Sequence, residues 1–157
     1  MQREIKFRGQ MTTGEWVFGL PHLDLKGSTA YFNECSYRIC WNPENGGQSN
    51  APIKNGSLCQ FTGLLDKNGT EIYEGDIVSW KETRFHTQKQ IENNIPMPKI
   101  YKSIVYYEDG GFIVSSDQEK DTPLCCFFND SIDNKFDYKA EVIGNIYENP
   151  ELFQRLS

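Results

Sequence analysis

The sequence predicts a mainly β protein, and three observations carry that expectation. From Gln60 to Trp80, apolar, β-branched and aromatic runs are set apart by Asp66-Lys67-Asn68-Gly69 and again by Glu74-Gly75-Asp76; such residues tolerate the left-handed backbone of tight turns and mark a hairpin. A second hairpin pattern joins Ser103–Tyr107 to Phe112–Ser115 through Glu108-Asp109-Gly110-Gly111. No long helical periodicity lies between the strands, which argues against a parallel sheet with crossover helices and for a small, strongly bent barrel. The Gly75-Asp76-Ile77-Val78 turn, followed by a hairpin with a Gly-Gly tip, is the layout of an SH3-like barrel. The expected architecture is therefore a C-terminal SH3-like barrel with an N-terminal β-rich portion and a short C-terminal helix.

Taken in order, Ile5-Lys6-Phe7-Arg8 alternates apolar and basic residues, the period of a half-buried strand, and Glu15-Trp16-Val17-Phe18 follows Gly14 as its hairpin partner. Thr29 to Trp41 is β-prone, with Tyr31, Tyr37, Ile39 and Trp41 on one parity and an interruption at Asn33-Glu34. Residues 42–52 are dense in Asn, Pro and Gly and read as a loop. The boundary is placed at residue 57, giving an N-terminal portion over 1–57 and the barrel over 58–157. Strands are expected at Leu58–Leu65, Thr70–Tyr73, Ile77–Trp80, Cys125–Phe128 and Ala140–Ile146. The stretch 82–99 is polar, ends in Ile95-Pro96-Met97-Pro98, and reads as a mobile insertion. At the end Asn149 is a good N-cap, Pro150 suits the first helical position, and Glu151 suits the positive end of the dipole, so that Leu152, Phe153 and Leu156 could pin a short helix.

A chain of 157 residues, 13% of them aromatic, is long enough to bury roughly two-thirds of its unfolded surface without staples. No run of about 18 apolar residues exists, and the first residues alternate charge with hydrophobe, so neither a membrane span nor an export signal is expected. Five cysteines leave one unpaired under any internal scheme, which argues against a secreted disulfide framework and for the cytoplasm. The net charge of −6 opposes long-range attraction to nucleic acid, but five Lys/Arg against two Glu between Lys81 and Lys102 leave −9 on the remainder.

The residue types that could carry chemistry are weakly arranged. Cys35 and Cys40 with His22 or His86 offer zinc ligands, yet only one close pair exists, and Cys125 and Cys126 as strand neighbours point to opposite faces. Glu71, Glu74 and Asp76 could pair as acid and base, but turn geometry already demands such residues there. Neither histidine has a nucleophile elbow beside it, and no glycine loop precedes a helix to cradle phosphate. No catalytic residue, cofactor or metal is expected. Nucleic-acid contact has a definite place: Trp80 with Lys81, Arg84, Lys89, Lys99 and Lys102, beside Tyr101, combines aromatic rings with local positive charge.

Three blocks carry a family resemblance. They are Arg3 to Arg8 with Gly14 to Val17, Gln60 to Gly69 with Glu71 to Val78, and Val142 to Leu152. In combination the chain resembles the YopX family of phage and prophage proteins. It departs from the frequent Tyr-Thr-Gly-Leu-Lys-Asp of that family at Phe61 and Leu65, and the segments 20–57 and 82–99 lie outside the resemblance. The resemblance implies an SH3-like C-terminal barrel, an N-terminal β-rich portion and residence in the cytoplasm of a bacterium carrying a phage or mobile element; it implies no activity. The expected function is thus that of a non-enzymatic accessory protein acting through protein–protein contacts as a homo-oligomer, with an unknown phage or host protein as partner. The alternative is a nucleic-acid-associated module using the basic 81–102 segment, and the third is an enzyme with a polar cleft.

Overall fold

A computed structural model describes residues 4–24, 36–41, 49–82, 99–116, 119–127 and 140–153. The fold is mainly β, in two sheets. The first contains β1 (Phe7–Gln10), β2 (Trp16–Asp24), β3 (Ser36–Trp41), β4 (Ser49–Pro52), β5 (Cys59–Leu65) and β6 (Glu71–Tyr73), in the order β4-β3-β2-β1-β5-β6. The second contains β7 (Asp76–Glu82), β8 (Lys99–Glu108), β9 (Gly111–Ser116), β10 (Glu119–Pro123) and β11 (Glu141–Asn145), in the order β10-β9-β8-β7-β11. The chain divides into two compact units, Met1–Gly63 and Leu64–Ser157. No helix among the described residues is long and apolar enough to cross a membrane.

In the first unit the turn between β1 and β2 closes through Met11 N–H to Glu15 O (2.8 Å) and Gly14 N–H to Met11 O (2.9 Å), with Gly14 at φ 97°, a conformation that favours glycine. β2 serves two partners: Trp16 to Gly19 pair with β1, and Leu20 to Asp24 with β3. The hand-over falls at Gly19, where a Cβ would collide with the carbonyl of Cys40. Ile39, Ala51, Ile53, Cys59 and Phe61 are buried. Beside them a polar joint ties β1 to the approach of β5: Gln10 N–H donates to Ser57 Oγ (3.1 Å), Lys54 Nζ to Gln10 Oε1 (2.9 Å) and Gln10 Nε2 to Gly14 O (3.1 Å).

Gly9 lies beneath that core. A Cβ there would stand 2.6 Å from Cδ1 and 2.8 Å from Cγ2 of Ile53, so Gly9→Ala should overpack the unit and destabilise it by about 1–3 kcal/mol. Chemical denaturation checks this, and adding Ile53→Val should recover part of the loss.

The second unit packs Ile72, Val78, Trp80, Val105, Val114, Leu124 and Ala140 into one cluster, flanked by Leu64, Tyr101, Phe112 and Val142. Strands β7 to β11 form an open sheet with β10 and β11 on the outside; they do not close into the expected barrel. Other differences from the sequence reading have local causes. Ser49–Pro52, within the stretch read as a loop, is the strand β4, an end strand of its sheet, where proline is tolerated. Glu119–Pro123 is likewise an end strand that the sequence did not announce. Of the apolar run expected as a strand at Cys125–Phe128, residues 125–127 instead belong to a single 3-10 turn, Leu124–Phe127, with Leu124 buried in the cluster, and Phe128 lies outside the described residues. The expected C-terminal helix is a 3-10 turn of four residues, Pro150–Phe153. Asn149 Oδ1 turns back to accept Asn145 N–H (3.4 Å). Strands reach inward to Glu82 and Lys99 at the two ends of the expected insertion, and residues 83–98 lie outside the described residues.

Candidate functional site

The two most recognisable stretches of sequence meet in the second unit. Asp66 follows directly on β5 and is buried, and its carboxylate holds the turn: Oδ1 accepts N–H groups from Asn68 (2.7 Å) and Thr70 (2.8 Å). Its other oxygen crosses to β11 and accepts Val142 N–H at 3.1 Å, while Lys67 N–H donates to Ala140 O at 3.1 Å. Lys67 also pairs with Glu141, and Asn68 Nδ2 reaches the same carboxylate. β11 is an end strand, and this turn supplies partners that no further strand provides, which blunts an exposed edge. Burial pushes the Asp66 carboxyl up, but the N–H groups of Thr70, Val142 and Asn68 outweigh it and hold the group below its usual value. The hydrogen bond from Lys67 is the main reason that Glu141 also lies low.

The next turn is built in the same manner. Asp76, almost fully buried, accepts Tyr73 N–H on Oδ2 at 2.8 Å, and Tyr73 Oη donates to Glu71 at 2.8 Å. Gly75, at φ 78°, donates to Val105 O and accepts from Ile146 N–H. Asn145 Oδ1 accepts from Tyr147 and Glu148, both at 3.0 Å, and its Nδ2 donates to Glu148. Asp66 and Asp76 therefore spend oxygens on backbone groups, a geometric use that fixes how β5, β6, β7 and β11 meet their turns.

The residues that the sequence placed at a nucleic-acid site are distributed over two faces. Trp80 is 4% exposed and belongs to the core; its ring stacks on Tyr101 at 5.7 Å and 13°. Lys81 and Lys102 are exposed on the other face, opposite Ile100 and Ser79 respectively. Ser79 is also opposite Glu141 on β11, so Lys102 and Glu141 flank one position with opposite charge. Lys99 opens β8 opposite Glu82. Arg84 and Lys89 lie outside the described residues, as do Cys35 and His86. Cys40 pairs in register with Leu20 and His22 with Arg38, Cys59 is buried and Cys125 exposed. Among the described residues no three His, Cys, Asp or Glu side chains gather as a metal site.

A different surface escaped the sequence reading. In the first unit Arg8 lies over the Trp16 ring at 4.6 Å and Lys6 approaches the Phe61 ring at 5.8 Å, with Phe18 and Leu20 exposed on the same strand as Trp16. The available signal was the period-2 spacing of Lys6 with Arg8 and of Trp16, Phe18 and Leu20; the hairpin register was needed to put the two series together.

The family model described as YopX protein matches residues 6–154. Among solved structures, the crystal structure of protein EF1440 from Enterococcus faecalis is similar, at 21% identity over 96% of this chain and 99% of that chain, with a TM-score of 0.46. No curated protein matches. With nearly its whole length covered by the family model, the chain belongs to the YopX family.

Proposed function

We propose that the chain is a non-enzymatic accessory protein of a phage or mobile element, acting in the bacterial cytoplasm through protein–protein contacts as a homo-oligomer. The observation that carries this reading is the set of large apolar side chains left in water on the second unit: Ile100 58%, Tyr107 52% and Leu65 50% exposed. Covering the exposed half of one such side chain is worth about 1 kcal/mol, and a second copy docked on the face that carries Ile100 supplies such cover. The acids of the recognisable turns support the non-enzymatic part, since both oxygens of Asp66 and Oδ2 of Asp76 are engaged with backbone N–H groups.

Light scattering on the eluting protein tests the oligomer. The expected mass is a multiple of 18.1 kDa, and Ile100→Asp should lower it while leaving the circular dichroism spectrum unchanged. A monomer at every concentration overturns the reading.

A further inference from the structure

We propose that the face of the first unit built from β1, β2 and β3 binds single-stranded nucleic acid. Residues opposite one another in antiparallel strands share a face, as do residues two apart. The rows Gln10↔Trp16, Arg8↔Phe18, Leu20↔Cys40 and His22↔Arg38 therefore bring cations and rings together. Lys6 joins them two residues before Arg8. These four rows contain no acid; the first one met in register is Asp24, opposite Ser36, at the end of β2, and Glu4 lies before Lys6 on the other side.

The chemistry fits a flexible anionic strand with flat bases. Phe18 is 46% and Leu20 60% exposed, surfaces on which an unstacked base can lie. The Arg8 guanidinium already lies over Trp16, and Arg38 Nε donates to Asn50 Oδ1 at 2.8 Å, which holds a group suited to phosphate in place beside the row. Four rows on three strands make a patch of about 20 by 10 Å. Charge complementarity favours this occupant: the rows with Lys6 hold three cations, Lys6, Arg8 and Arg38, and no acid, on a unit that is close to neutral, with six Lys/Arg against five Asp/Glu in residues 1–63, whereas 64–157 carry ten against seventeen. The face of β7 and β8 is a poorer match, since its tryptophan is buried and Glu141 interrupts its lysines. The proposal does not rest on oligomerisation, because each copy carries the whole face.

Fluorescence anisotropy of the full chain with a labelled thymidine oligonucleotide of about 20 residues tests it. Binding is expected at low salt, weakening by at least about tenfold between 50 and 200 mM. Phe18→Ala should weaken binding about tenfold, Arg38→Gln should lower the salt slope by about one, and Phe18→Tyr should retain affinity, which separates lost stacking from lost folding. Lys81→Gln with Lys102→Gln should change nothing. Three results would overturn the proposal: no binding at low salt, loss on changing the two lysines with Phe18→Ala silent, or displacement by polyglutamate as readily as by unlabelled oligonucleotide, which would point to an acidic protein partner.

Discussion

Replacing Trp80 with alanine should destabilise the second unit by about 3–5 kcal/mol, the cost of removing a large aromatic side chain from a packed interior. The ring is 4% exposed, packs in the cluster with Ile72, Val78, Val105 and Val114, and stacks on Tyr101. Tyr101 stands directly opposite on β8 and the small Ser103 diagonal to it, opposite Val78, so alanine leaves the Tyr101 ring without its stacking partner and a void beside it. Urea denaturation followed by circular dichroism reads the loss, and Trp80→Phe should retain more than half of the stability lost by alanine. A change below about 1 kcal/mol would show that the ring is not a core element and would restore its candidacy as a stacking surface for bases.

Asp66→Asn should have the next largest effect, about 2–3 kcal/mol, the range for a hydrogen bond to a charged group whose partner is left buried. The amide keeps one oxygen for Asn68 and Thr70 N–H, but its nitrogen then meets Val142 N–H, donor against donor. The substitution should also alter acid unfolding in a defined sense. The folded carboxyl lies below its ordinary 3.8, so its contribution is complete above that value and is lost as pH falls through the lower folded value. Wild type should therefore lose stability more steeply than Asp66→Asn below about pH 4, with the two curves converging at the acid end. Glu141, also held low, titrates in the same sense, and high salt should weaken that part because its ion pair with Lys67 is exposed to solvent. Parallel acid limbs for the two proteins would show that Asp66 is not the group responsible.

The hairpins were legible because their turns are written in residue types that only certain backbone angles accept. Gly69 and Gly110 do lie at φ 83°, and Asp66 does hold Asn68 and Thr70. End strands were less legible. β4 and β10 end in Pro52 and Pro123, residues that read as breakers until one knows that the N–H they lack has no neighbour to meet. The run at Cys125–Phe128 is short and apolar, and periodicity cannot tell a turn from a strand over four residues. At the chain end Asn149 and Pro150 lead one to expect a capped short helix, but Asn149 spends its side chain on Asn145 and what forms is a 3-10 turn of four residues. The nucleic-acid reading failed to foresee the burial of Trp80 for a simpler reason: neighbours in a strand point to opposite faces, so Trp80 and Lys81 are close in the chain and apart on the sheet. The face that does unite rings with cations draws on Arg8, Phe18 and Arg38, whose proximity exists only once the strands are aligned.

The bond from Val142 to Asp66 spans 76 positions, and this separation governs when the second unit can mature during synthesis. Until the ribosome has delivered residues 140–145, β7 has a vacant flank and the carboxylate after β5 waits for its third donor, so completion is a late, non-local event of the kind that slows folding. A nascent chain stalled before Ala140 would present that flank to its neighbours on the polysome, a point of vulnerability to misassembly.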